Sequence, residues 1–181
     1  MPRWKITLEY DGTAFSGWQR QDGPASVQQA VEEAILGFCG EEVRLHVAGR
    51  TDAGVHALAQ VAHFDLSKDT KAETVRDALN FHLRDQPACI LEAEGVSEEF
   101  HARFSAKSRH YLYRLINRRA PLVLEKNRAH QVTKPLDIFT MQKAAGLMIG
   151  IHDFSTFRAQ NCQSNSPMKT LDAARIERIS E

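Results

Sequence analysis

Polar and apolar residues alternate from Lys5 to Tyr10, with Ile6, Leu8 and Tyr10 on one face, and the alternation stops at Asp11-Gly12. This predicts a strand ending in a turn. Ser26 is followed three residues later by Gln29, as in a capping box, and Val27, Ala30, Val31, Ala34, Ile35 and Phe38 recur at helical spacing. The predicted helix closes near Gly37 to Gly40. Val43, Leu45 and Val47 alternate as a strand leading into Ala48-Gly49-Arg50-Thr51-Asp52-Ala53-Gly54, and another strand is expected over about Gln60 to Leu66. Thr70 with Glu73 makes a second capping box, for a helix through Val75, Ala78 and Leu79 to about Leu83, and Ile90 to Val96 reads as the next strand. Ser108 to Asn117 predicts a longer strand, with Tyr111, Tyr113 and Leu115 on one face and Leu112 and Ile116 on the other. Asp137 can cap a helix carrying Ile138, Met141, Ala144, Ala145 and Met148, and Thr170 to Ser180 is weakly strand-like.

Strands with interspersed helices and mixed connections predict an α+β fold. The order strand, loop, helix, strand occurs from Lys5 and again, more loosely, from Ser108, which suggests two similar halves, 1–104 and 105–181.

Composition narrows the class. The chain has 181 residues, 43% of them hydrophobic, enough for one or two buried cores, so disorder as the main state is excluded. No run approaches the roughly 18 apolar residues of a membrane span, and the polar start MPRWKITLEYDG carries no signal-peptide core, so a soluble cytoplasmic protein is expected. Cys39, Cys89 and Cys162 are odd in number and contain no Cys-x-x-Cys pair, which indicates neither a disulfide framework nor a common zinc site.

Lysine plus arginine equal aspartate plus glutamate at 23 each, yet the balance is local rather than uniform. From His101 to Pro121 the chain carries Arg103, Lys107, Arg109, Arg114, Arg118 and Arg119 and no acid, a charge of +6. One reading is a solvated strand neutralised by acids elsewhere, Glu92, Glu94, Glu98 and Glu99 being close upstream. The other is a surface for phosphates and unpaired bases, because Phe100, Phe104, Tyr111 and Tyr113 are interleaved with the cations.

Asp52, two residues from Arg50 in a glycine-flanked segment, is a candidate nucleophile or base that a guanidinium would keep ionised. The same residue type in a turn also simply bonds its local backbone. His56 is either an acid-base partner or structural. A metal reading joins His46, Asp52, His56, His63 and Asp65, with His63 and Asp65 on one strand face, although no recognised ligand spacing is present. Neither a P-loop nor a Gly-x-Gly-x-x-Gly occurs.

Several blocks together carry a resemblance: Tyr10-Asp11-Gly12, Phe15, Gly17-Trp18-Gln19 and Gln21; Ala48 to His56; Phe100-His101-Ala102-Arg103-Phe104-Ser105-Ala106; Tyr111 and Tyr113; then Asp153-Phe154-Ser155, Phe157-Arg158 and Cys162. In this order they resemble the signature blocks of the TruA family of tRNA pseudouridine synthases. The resemblance implies two similar α+β halves with antiparallel-rich mixed sheets and a basic cleft between them. It also implies a homodimer acting on the anticodon arm of tRNA, at positions thirty-eight to forty, with no metal or organic cofactor. Asp52 matches the catalytic aspartate, Arg50 the neighbouring tRNA-contacting arginine, and Tyr111 the tyrosine that packs against the target uracil. Phe100, His101, Ala102, Arg103 and Phe104, and Arg158, Ala159, Gln160, Asn161 and Cys162, match segments that touch tRNA. Family members continue for several dozen residues past the position of Glu181, so the chain is expected to be most of a longer protein. The same residues without that segment are compatible with a tRNA-binding or chaperone-like module that does no chemistry, and the His46 to Asp65 cluster with a metal-dependent hydrolase.

Overall fold

The computed structural model describes residues 1–158 and 166–179. It divides into two compact units, Met1–Tyr113 and Arg114–Glu181. The division falls nine residues beyond the expected 104/105 position, and residues 105–113 group with the first unit.

The first unit is built on a four-stranded sheet in the order β2-β3-β1-β4, from β1 (Arg3–Tyr10), β2 (His46–Val47), β3 (Ala57–Asp65) and β4 (Ala88–Val96). Every neighbouring pair is antiparallel. Alternation in β1 sends Trp4, Ile6, Leu8 and Tyr10 into the core beside Ala62 and Phe64 of β3 and Ile90 of β4. Helices α1 (Val27–Cys39) and α2 (Ala72–Leu83) complete that core with Val27, Val31, Ala34 and Ile35 and with Val75, Leu79 and Leu83.

Local chemistry sets the ends of these helices. The Ser26 side chain accepts from the Gln29 N–H, and Gly40 closes α1 in the left-handed region at φ 74°. The capping box expected at Thr70 does not form. Lys71 occupies the N-cap of α2 without a side-chain bond, so that helix is held by its apolar face rather than its cap. Glu32, buried in α1, is satisfied by the Gln28 amide, the Leu45 N–H and the Arg20 guanidinium, which ties the helix to the approach to β2. That approach is not a strand. Of the predicted run from Val43 only His46–Val47 pairs with β3, while Leu45 is buried as a core anchor.

The second unit holds a parallel pair, β5 (Leu115–Asn117) with β6 (His130–Val132), then α3 (Ile138–Gly146), then an antiparallel pair, β7 (Gly150–Asp153) with β8 (Met168–Leu171). Asp137 caps α3 as its sequence predicts, accepting from the Phe139 and Thr140 N–H groups. The long strand expected over Ser108 to Asn117 is reduced to its last three residues. Tyr111, Leu112 and Tyr113 are all more than three-quarters exposed, so there is no buried face for an alternation to serve. Thr170 to Ser180 is also mostly irregular, with β8 ending at Leu171. Among the described residues no helix is long and apolar enough to cross a membrane.

Candidate active site

The segment from Gly49 to His56 links β2 to β3, and it is held from below by the chain that follows β1. The Trp18 N–H donates to the Thr51 carbonyl at 2.9 Å and the Gly54 N–H to the Phe15 carbonyl at 3.4 Å. Within the loop the Val55 N–H reaches the Asp52 carbonyl at 3.2 Å. The Gly12 N–H donates to His56 Nδ1 at 3.2 Å, and Asp11 Oδ1 lies 3.1 Å from the same nitrogen.

Two glycines make this seating possible. A methyl group at Gly12 would stand 2.1 Å from the Val55 carbonyl oxygen. At Gly17, whose φ is 107°, it would stand 2.7 Å from the Thr51 carbonyl oxygen. Tyr10-Asp11-Gly12 and Gly17-Trp18 thus form the floor on which the Asp52 loop rests.

Asp52 itself is exposed, and among the described residues no hydrogen bond or ion pair engages its carboxylate. The alternative of a turn aspartate bonding its own backbone therefore finds no support; that role belongs to Asp11, whose carboxylate accepts from the Thr13 N–H at 3.0 Å. A carboxylate held on a fixed backbone with its oxygens open can act as nucleophile or base.

Residues 97–105 form a tight turn against the face of the sheet opposite the helices. Arg3 donates to the carbonyls of Glu98 (2.5 Å) and Phe100 (2.8 Å), and also makes a two-pronged ion pair with Asp65 at 2.7 and 2.9 Å. The Ala102 N–H donates to Nδ1 of the buried His63 at 3.2 Å. Within the turn, the roles of the residues divide sharply. Ala102 is buried, whereas Arg103 is exposed and Phe104 is 77% exposed, with the guanidinium 5.8 Å from the ring centroid. Ala102 is thus an anchor, and Arg103 and Phe104 are the members of the block presented to solvent.

Three imidazoles gather under this turn. His46 stacks on His63 at 4.9 Å, and His101 meets His63 at 4.7 Å and His46 at 5.6 Å. Burial pushes His63 down to about 4, and the neighbouring His46, His101 and Arg3 add to the shift. His46 is lowered for the same first reason. Arg3 holds the Asp65 carboxyl below its ordinary value, chiefly through their hydrogen bond. The rings pack on one another and on Phe100 and Phe104, and among the described residues no group of three or more histidine, cysteine or acidic side chains is arranged to hold a metal ion. The metal-dependent hydrolase reading loses its ligand set there.

The basic window is less uniform than its sequence. Arg109 donates to the Ala48 carbonyl at 2.7 Å and to the Arg103 carbonyl at 3.3 Å, with its side chain against Gly49. It joins the 101–109 segment to the entrance of the Asp52 loop. Arg114 pairs with Glu125, and Arg118 bonds the Ala120 and Pro121 carbonyls. Two of the upstream acids are engaged outside the window: Glu94 pairs with Lys5, and Glu98 with the N-terminal amine. Tyr111 is 83% exposed in the same unit as Asp52. In the second unit Arg158 follows a short 3-10 turn, its N–H donating to the Ser155 carbonyl, and Ala159, Gln160, Asn161 and Cys162 lie outside the described residues.

Comparison with known proteins agrees with this arrangement. A family model described as tRNA pseudouridine synthase matches residues 6–105, which run from within β1 through the Asp52 loop to the end of the turn at 97–105. The chain is 56% identical over its whole length to tRNA pseudouridine synthase A of Paramagnetospirillum magneticum, covering 71% of that protein. It is 55% identical to the protein of that name from Maricaulis maris, covering 73%. Against that of a Caulobacter species it is 51% identical, again covering 73%. With the matched region holding the seated loop and its glycine floor, and the identity running across both units, the chain belongs to the tRNA pseudouridine synthase family.

Proposed function

We propose that the chain isomerises uridine to pseudouridine in the anticodon arm of tRNA, at positions thirty-eight to forty, with Asp52 as the catalytic group. The observation that carries this reading is the open Asp52 carboxylate on a backbone fixed by Trp18, Phe15 and two obligatory glycines.

The reaction breaks the bond from C1′ to N1 and makes one from C1′ to C5; N1 gains a proton and C5 loses one, so no redox partner or hydrolytic water is consumed. A carboxylate can begin it by adding to the uridine or by taking a proton from the sugar. The base must leave its stack to reach Asp52, and an exposed aromatic ring is a suitable surface to receive it, which is the role proposed for Tyr111. Arg50 contacts tRNA beside the aspartate. Arg103 and Phe104 supply a cation and a stacking face, with Phe100, His101 and Ala102 shaping the turn that presents them. Arg158 and the segment to Cys162 contact tRNA from the second unit. The working form is a cytoplasmic homodimer that needs neither metal nor organic cofactor.

The test is incubation with unmodified tRNA followed by pseudouridine mapping, with and without chelator. Conversion at thirty-eight to forty that survives chelation, together with its loss in Asp52→Asn at tRNA affinity within several-fold, is expected. Turnover by Asp52→Asn overturns the assignment. Tight tRNA binding by the unaltered protein with no conversion favours the module that does no chemistry.

A further inference from the structure

We infer that Tyr10 and Gln60 are positioning residues, a side-chain clasp that sets where the Asp52 loop stands above the sheet; the inference rests on Asp52 being the catalytic group. The Gln60 amide, on β3, donates to the Gly49 carbonyl at 2.8 Å and reaches the Tyr10 hydroxyl at 3.5 Å. That hydroxyl shares a 2.8 Å hydrogen bond with Thr51 Oγ1. The chain of contacts therefore grips the loop at Gly49 and at Thr51, on either side of Arg50 and immediately before Asp52.

Three features make the clasp rigid. The Tyr10 ring is 4% exposed and packs 6.1 Å from the Trp18 ring, so its hydroxyl is delivered by the core and cannot swing away. Trp18 in turn bonds the Thr51 carbonyl, so the two aromatic residues reach the same loop residue, one through its backbone and one through its side chain. The third feature is a break in register: Leu8 lies opposite Gln60 but Tyr10 opposite Ala57, so β3 uses one residue more than β1 over this stretch. An extra residue of this kind re-aims side chains at the end of a ladder. A half-buried amide on a strand is costly unless satisfied, and both partners of the Gln60 amide belong to the clasp.

Misplacing a reacting group by about 1 Å can cost on the order of a hundredfold in rate. Single-turnover conversion of tRNA, tRNA affinity and thermal unfolding should be measured together. Tyr10→Phe and Gln60→Met are expected to slow conversion roughly 10- to 100-fold while affinity stays within about threefold. Because they remove parts of one unit, the double variant should be little slower than the worse single one, a non-additivity that separate structural roles would not produce. Thr51→Val should be slowed like them and Thr51→Ser should recover most of the rate, a comparison that keeps the test open if a Tyr10 variant does not fold. Unaltered rates in Tyr10→Phe and Gln60→Met beside an inactive Asp52→Asn overturn the clasp alone, as do rate losses matched by equal losses of affinity. Turnover by Asp52→Asn overturns the catalytic reading and the clasp with it.

Discussion

In the first unit β1 delivers Trp4, Ile6, Leu8 and Tyr10 to two helices that cover them, and nineteen residues form one buried apolar cluster. In the second, Ala145 is the one buried hydrophobic residue among those described, while Phe139, Leu147 and Ile151 are each about 70 to 80% exposed and Leu124 is 91% exposed. Apolar content is present in both; what differs is whether each apolar face meets another. The first unit is therefore held by burial. The second relies on polar stitching: Asn117 donates to the Val132 and Lys134 carbonyls, and Gln142 holds the 174–176 backbone by both ends of its amide. The Asn117 bonds are exposed and the Gln142 bonds part-buried, and each contributes on the order of 1 kcal/mol net.

The largest expected effect tests this contrast directly. Leu79→Ala removes a fully buried side chain and should cost about 3 kcal/mol, while Phe139→Ala should cost below about 1 kcal/mol. Urea unfolding followed by tryptophan fluorescence reads the first, because both tryptophans, Trp4 and Trp18, lie in the first unit. Equal costs at the two sites would erase the distinction.

Acid should narrow the contrast. With its pKa lowered from 6.5 to about 4, His63 stays neutral in the fold where the unfolded chain takes up a proton. The first unit is then fully stable above about pH 6.5 and loses on the order of 2 kcal/mol as pH falls toward 4. Protonation also removes the acceptor for the Ala102 N–H. In the second unit Asp137 and Asp153 are lowered by the hydroxyls of Thr140 and Ser155, so their contribution is present above the ordinary aspartate value of 3.8 and lost only below it. Tryptophan-detected unfolding at pH 7, 5.5 and 4 should show the decline, and His63→Gln should flatten it.

A smaller effect belongs to the cap of α3. Asp137→Ala frees the Phe139 and Thr140 N–H groups, and amide exchange in Ile138–Gly146 should rise roughly fivefold with the first unit unchanged. Smallest of all, Glu125→Gln breaks the half-exposed pair with Arg114 and should shift stability by no more than about 0.5 kcal/mol.

The sequence was most legible where periodicity and burial coincide. Ile6, Leu8 and Tyr10, the α1 stripe after Ser26 and the α3 cap at Asp137 all lie where their pattern places them. It misled at Ser108 to Asn117, where alternating tyrosines and leucines face solvent, because their pattern reflects exposed aromatics rather than a buried face. His130–Val132 and Gly150–Asp153 are short strands whose polar residues gave no strand signal. Among the residues proposed for the site, Asp52 and the 100–104 block could be picked out by residue type. Gln60 could not, since a glutamine on a strand ordinarily marks a solvent face and only its hydrogen bonds to Gly49 and Tyr10 show where its amide goes. His63 looks like a possible ligand in the sequence, and the turn that engages it instead lies some forty residues away.

The glycine floor has a consequence for anyone redesigning the enzyme. Because Gly12 and Gly17 meet the carbonyl oxygens of Val55 and Thr51, the backbone path of the Asp52 loop is templated by a segment some forty residues upstream. A library that randomises 49–56 while keeping those two positions would search side chains on a constant frame. One that also varied Gly12 or Gly17 would chiefly recover clones whose loop is displaced, whatever residues the loop itself encodes.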